Sequence, residues 1–287
     1  MKFQISNFGA PTKWVVKFNY IGGFMRIRSA VVSLLIAIGF ITVLVCPVSA
    51  EESSLNYSIG IKGWSNQWET GYFFNDESYV GKNVQVITGS KFTLIPVLAV
   101  KYGNVFVSGS YYMKSNFTFN KFSYRATYST VGTIVETLES SADRTEWDGN
   151  IGYYIHPSVA VSLGYKNITQ DYTSTYSSPG ITYSQPTSKS TTEIKGPTIG
   201  ITGNAPISGG FGLYGNLAYG WLKAKYTGVS REDTVSYLLS DTGFNYRAGS
   251  FLINLGYRLQ SMYTDAPNGL KGPDVTEGFV LGANMLF

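Results

Sequence analysis

The stretch from Arg144 to His156 alternates between two kinds of side chain. Odd positions carry Trp147, Ile151, Tyr153 and Ile155, and even positions carry Arg144, Glu146, Asp148, Asn150 and His156. A β-strand points successive side chains to opposite faces, so this segment has one apolar and one charged face. After His156-Pro157-Ser158 the pattern resumes, with Val159, Val161, Leu163 and Tyr165 opposed by Ser162, Lys166 and Gln170. Two such runs joined by so short a connection predict a hairpin. The same period recurs in Val105, Val107, Tyr111 and Met113 against Ser108, Ser110 and Lys114. It recurs again in Phe211, Leu213, Leu217, Tyr219 and Trp221 against Tyr214 and Asn216, and in Phe251 to Leu259 against Asn254, Arg258 and Gln260. From Leu55 onward the chain reads as all-β.

The connections alternate as well. Gly103-Asn104, His156-Pro157 and Asn204 to Gly210 are short, while 68–90, 118–142, 171–191, 227–242 and 263–275 are long and polar. Tight turns at one end and long loops at the other predict a closed antiparallel transmembrane barrel with periplasmic turns and extracellular loops. The count comes to about ten strands, with eight or twelve as alternatives. It depends on the region 242–260, where the apolar face is even at Phe244 and Tyr246 but odd from Phe251. A turn at Ala248-Gly249-Ser250 gives ten; a bulge inside one long strand would break the even number. Gly152, Gly164 and Gly256 fall on the polar face, where bulk would crowd a narrow lumen.

No apolar run of about 18 residues follows residue 50, so the bulk of the chain holds no helical membrane span. The first fifty residues read as an address. Met25-Arg26-Ile27-Arg28 is a positive start, Ser29 to Val45 an apolar stretch, and Val48-Ser49-Ala50 a small-residue cleavage site after Ala50. The expected division is a mis-called upstream extension over 1–24, a signal peptide over 25–50 and the barrel over 51–287. Cys46, the one cysteine, falls in the signal peptide, which leaves the mature chain without thiol or disulfide chemistry. Five of the 22 Lys and Arg also lie in those fifty residues, with no acidic residue beside them. The remainder is nearly neutral, and no basic stripe for nucleic acid remains.

The final strand sets Phe279, Leu281, Ala283, Met285 and Phe287 against Gly278, Gly282 and Asn284, and the chain stops on the aromatic residue. This looks like the C-terminal signal by which outer-membrane barrels are recognised for assembly. Over residues 51–287 the chain resembles the opacity-protein-like superfamily of small outer-membrane β-barrels, with no subfamily motif to place residue by residue. The resemblance implies the bacterial outer membrane as location. It implies outer-membrane lipid, lipopolysaccharide and the barrel-assembly machinery as partners.

The candidate lumen charges are Lys62, Lys101, Lys114, Arg144, Glu146, Asp148, Lys166, Arg247 and Arg258. Glu146 and Asp148 lie on the strand hairpinned to that of Lys166, so cross-strand ion pairs are expected. At about ten strands such pairs would fill the interior. The function expected is structural or surface-interacting, with an extracellular ligand met by the long loops. A small pore with a Lys- and Arg-rich lining is the alternative. Tyr57, Trp147, Tyr219 and Trp221 are candidates for interface girdles. A barrel enzyme, omptin-like or lipid A-modifying, is a more distant alternative. Those resemblances imply a His-containing site toward the outer rim, whereas the one histidine, His156, falls at a periplasmic turn. No catalytic residue, metal site or cofactor is expected.

Overall fold

The structure, a computed structural model, describes residues 55–72, 84–128, 132–177, 187–228, 230, 232–265 and 273–287. The expected upstream extension, signal peptide and cleavage after Ala50 lie outside them. The strands are β1 (Leu55–Tyr72), β2 (Val84–Ile87), β3 (Lys91–Tyr102), β4 (Val105–Thr118), β5 (Phe122–Tyr128) and β6 (Gly132–His156). They continue with β7 (Val159–Ser177), β8 (Thr187–Ser208), β9 (Phe211–Tyr226), β10 (Glu232–Ala248), β11 (Phe251–Asp265) and β12 (Pro273–Leu286).

Ten of these form a closed antiparallel ring: β1, β3, β4 and β6 to β12. β12 pairs back onto β1 from Ser58↔Leu286 to Thr70↔Asp274. Phe287 completes the seam, exchanging both main-chain hydrogen bonds with Tyr57 at 3.0 and 2.9 Å. β2 and β5 are continuations rather than extra staves. β2 pairs with β1 on the side β3 occupies, and β5 pairs with β6 on the side β4 occupies, each after a short irregular break. The expected ten is therefore the count of the ring. It is fixed by the turn between β10 and β11, where Gly249 takes a φ of 60°, open to glycine at no steric cost.

One expectation is corrected. In the polar stretches 118–142, 171–191 and 227–242 the described residues are largely strand and not loop. β6 begins at Gly132, β7 runs to Ser177, β8 starts at Thr187 and β10 at Glu232. On β6 the outward apolar residues run from Trp147 to Ile155, all exposed. Eight steps of about 3.4 Å, tilted by about 40°, span about 21 Å, close to the apolar band of such barrels. Residues 132–146 of the same strand lie beyond that belt.

Where the strands leave the belt, their apolar residues change face. On β9, Tyr219 and Trp221 point out, but Leu222 and Ala224 are buried inside while Lys223 and Lys225 point out. On β6, Ala142 and Leu138 are buried inside and Asp143 lies on the outer face. Neither change needs a bulge. The turn-end half is apolar outside and polar inside, as hydrocarbon outside requires. The loop-end half has an apolar interior, as water outside requires. Its core is two clusters: Trp64, Trp68, Phe117 and Phe119 with neighbours on one wall, and Ile168, Ile194, Leu222, Val235 and Tyr237 with neighbours on the other.

Small residues make room in the narrow lumen. A Cβ on Gly152 would run into the Phe106 ring, and one on Gly256 into the Tyr214 hydroxyl. Outside, Trp147 stacks on Tyr165 at 5.8 Å and Tyr219 packs edge-on to Trp221 at 4.9 Å, at the loop-side edge of the belt. Phe211 and Tyr246, 4.7 Å apart, lie at the turn-side edge.

Candidate functional site

The level at which the strands invert is occupied by a buried ion cluster. Alternation alone aims β6 residues 144, 146 and 148 inward, and strand pairing places Lys166 of β7 directly beside Asp148. Glu146 is the hub. Its Oε1 accepts from Arg144 Nε at 2.7 Å, and its Oε2 faces Lys166 Nζ at 2.7 Å and accepts from Gln260 Nε2 at 3.0 Å. Gln260 belongs to β11, on the far wall, so this carboxylate ties the barrel across its diameter. Arg144 also donates to Thr276 Oγ1 at 2.7 Å, lies 3.8 Å from Asp274 and stacks over the Trp68 ring at 5.1 Å. Arg144, Glu146 and Lys166 are all but inaccessible to solvent.

A second group lies on the turn side of the first. Lys62 Nζ pairs with Asp241 at 3.1 Å, and Tyr214 Oη donates to the other Asp241 oxygen at 3.0 Å. Asp148 accepts from Ser110 Oγ at 2.9 Å and faces Lys166 at 3.5 Å. Arg258 stacks on Trp64 at 5.0 Å. Among the described residues no carboxylate lies within ion-pair distance of it, and its Nε has no hydrogen-bond partner. Lys62, Ser110, Asp148, Lys166, Asp241 and Arg258 border a cavity of about 160 Å³, whose turn-side lining is Ser108, Asn150, Ser162, Thr202 and Asn216.

The structure thus brings together six of the nine predicted lumen charges: Lys62, Arg144, Glu146, Asp148, Lys166 and Arg258. Two others face inward away from the cluster. Lys101 sits 4.9 Å over the Tyr154 ring toward the turn end, and Arg247, exposed at the turn, donates to the Gly249 carbonyl at 3.2 Å. Lys114 is a correction, because it does not face the lumen. Between Tyr112 and Ser115 the β4–β6 register slips by one residue, a bulge that reverses the parity of the strand. Lys114 consequently points outward, its side chain 64% exposed, and pairs with Asp143 at 2.7 Å on the outer wall. Asp241, Asp274, Gln260 and Tyr214 belong to the network and were not among the sequence candidates. His156 sits at the β6–β7 turn, where its Nδ1 accepts from the Ser158 N–H at 3.2 Å.

Among solved structures, the outer membrane protease OmpT from Escherichia coli matches with a TM-score of 0.55 and 13% identity, over 83% of this chain and all of that one. The fold is that of an outer-membrane β-barrel. The toluene transporter TodX of Pseudomonas putida aligns over 83% of this chain and 91% of its own, at 7% identity and a TM-score of 0.35. The translocator domain of the autotransporter NalP from Neisseria meningitidis aligns over 93% and 98%, at 9% identity and a TM-score of 0.34. No protein-family model matches the chain, and no curated protein does.

Proposed function

We propose that this protein is a plugged, non-conducting outer-membrane barrel. In this reading it holds its strand extensions and loops rigidly on the extracellular side as an interaction platform. One observation carries the proposal. Arg144, Glu146 and Lys166 are buried together at mid-barrel, with apolar clusters packed beyond them toward the loop end. An ion crossing the lumen would have to break charge-assisted hydrogen bonds in a poorly solvated interior and then pass through an apolar core. The Ser-, Thr- and Tyr-rich ends of β7 and β8 would supply hydrogen-bonding surface to an extracellular ligand. The pinned turn position of His156 supports a structural role for it over a catalytic one. The test is single-channel recording from the refolded barrel in a planar bilayer. Silence from demonstrably folded protein is the expected outcome. Discrete, ion-selective steps would replace this reading by that of a small pore.

A further inference from the structure

We propose that the cavity on the turn side of the ion cluster is a binding site for a small monovalent anion, of halide to acetate size, seated on Arg258. Three cations (Lys62, Lys166, Arg258) and two carboxylates (Asp148, Asp241) border the cavity. The pairing among them is unequal. Lys62 is taken by Asp241, and Lys166 by Glu146 and Asp148. Arg258 is the one cation of the three with no carboxylate at ion-pair distance among the described residues. It is 6% exposed and lies over the Trp64 ring. A guanidinium held this way is costly to desolvate, and the indole and the more distant charges of Asp241, Glu146 and Asp148 offset that cost without giving it a hydrogen-bond partner at Nε. An anion beside it supplies the direct partner that the guanidinium lacks within the protein.

The geometry supplies neutral donors as well. Tyr237, 1% exposed, borders the same cavity, and its hydroxyl has no protein partner. Arg258 Nε is likewise unpartnered. A volume of about 160 Å³ corresponds to about five water molecules, enough for one halide and its companion waters or for one small carboxylate. It is too small for a sugar acid. The two carboxylates in the lining disfavour multiply charged anions, which sets the preference for a single negative charge.

Bromide and gluconate at matched ionic strength separate a fitting anion from a bulky one. Thermal unfolding of the detergent-solubilised barrel, followed by loss of its β-sheet signal, reads the difference. The expected result is a Tm higher by about 3–6 °C in bromide, saturating with concentration, because a ligand of the folded state alone stabilises by mass action. Arg258→Gln is expected to abolish the difference. Equal Tm values in the two salts for the unaltered protein overturn the proposal. So does a difference that survives in Arg258→Gln, which would be a general surface effect. Should that variant not fold, crystals of the unaltered protein grown in bromide decide. An anomalous peak at hydrogen-bond distance from the Arg258 guanidinium supports the site, and its absence overturns it. Conductance is not the readout, so this site and the plugged-barrel reading can fail separately.

Discussion

The two halves of the barrel are built from the same strands and obey opposite rules. Toward the turns, Ile151, Tyr153 and Ile155 face outward and Asn150 and Tyr154 inward. Toward the loops, Ala142 and Leu138 face inward and Asp143 outward, on the same unbroken strand. A strand's alternation is geometric and does not change along its length unless a bulge interrupts it. What changes is which side meets hydrocarbon. The inversion therefore marks the membrane boundary from within the molecule, and the ion cluster of Arg144, Glu146 and Lys166 sits at that boundary. Its members are the side chains for which neither rule suffices, being too polar for the apolar core above and too buried for the wet lumen below.

The largest expected effect tests that placement. Glu146→Gln keeps the shape of the hub but leaves Arg144 and Lys166 facing a neutral amide. Breaking a buried pair from one side costs about 3–5 kcal/mol. Asn216→Ala in the turn-side lumen removes a hydrogen bond to Thr202 (3.3 Å) and should cost about 1 kcal/mol. Urea unfolding of the two variants in detergent compares them directly. Similar costs would mean that the interior is one uniformly hydrated space with no privileged level.

A smaller effect is expected on the outer wall. Ile151 lies midway along the apolar belt and is exposed to lipid, so Ile151→Arg should cost about 2–4 kcal/mol. Thr173 points outward beyond the belt, opposite Ser141, and Thr173→Arg should change stability by less than about 0.5 kcal/mol. Refolding into lipid vesicles, read by heat-modifiable gel mobility and urea midpoint, separates them. If both were tolerated alike, the inversion would not be the membrane edge.

The same inversion explains which parts of the fold are legible in the sequence. Between Trp147 and Ile155 the alternation is plain because lipid selects one face and the lumen the other. Between Gly132 and Arg144 both faces carry polar residues and the few apolar ones, Val135 apart, sit at even positions, so a strand reads as a polar loop. Asp241 and Asp274 fall in two such stretches, 227–242 and 263–275. Yet counting back in twos, with Phe244 and Phe279 outward, places both inside the barrel. Lys114 is illegible for a different reason, since a one-residue bulge at 113–114 reverses parity without any mark in composition. Arg258 is readable as a lumen cation, but its lack of an ion partner is a property of the pairing, which only the assembled ring defines.

The smallest expected effect concerns Asp274, which lies beyond the belt on β12, five residues past the outward Phe279. Burial against the loop-end core pushes its carboxyl up to about 6 from an ordinary 3.8, while Arg144 at 3.8 Å and the Trp68 Nε1–H at 2.8 Å hold back part of that rise. A carboxyl raised on folding binds its proton more tightly in the folded than in the unfolded chain. Its charge is therefore a burden above pH 6, relieved as the pH falls through 6 toward 4. The urea midpoint should accordingly rise between pH 8 and pH 5, and Asp274→Asn should flatten that rise by removing the titrating group. The comparison with the wet half sharpens here. Asp241 in the turn-side lumen has Lys62 and the Tyr214 hydroxyl at hydrogen-bond distance to hold its charge, whereas Asp274, placed where the strands have already turned their apolar faces inward, has its nearest cation at 3.8 Å. A rise that persisted in Asp274→Asn would assign the pH dependence to another group and would weaken the case that the loop-end interior is dry.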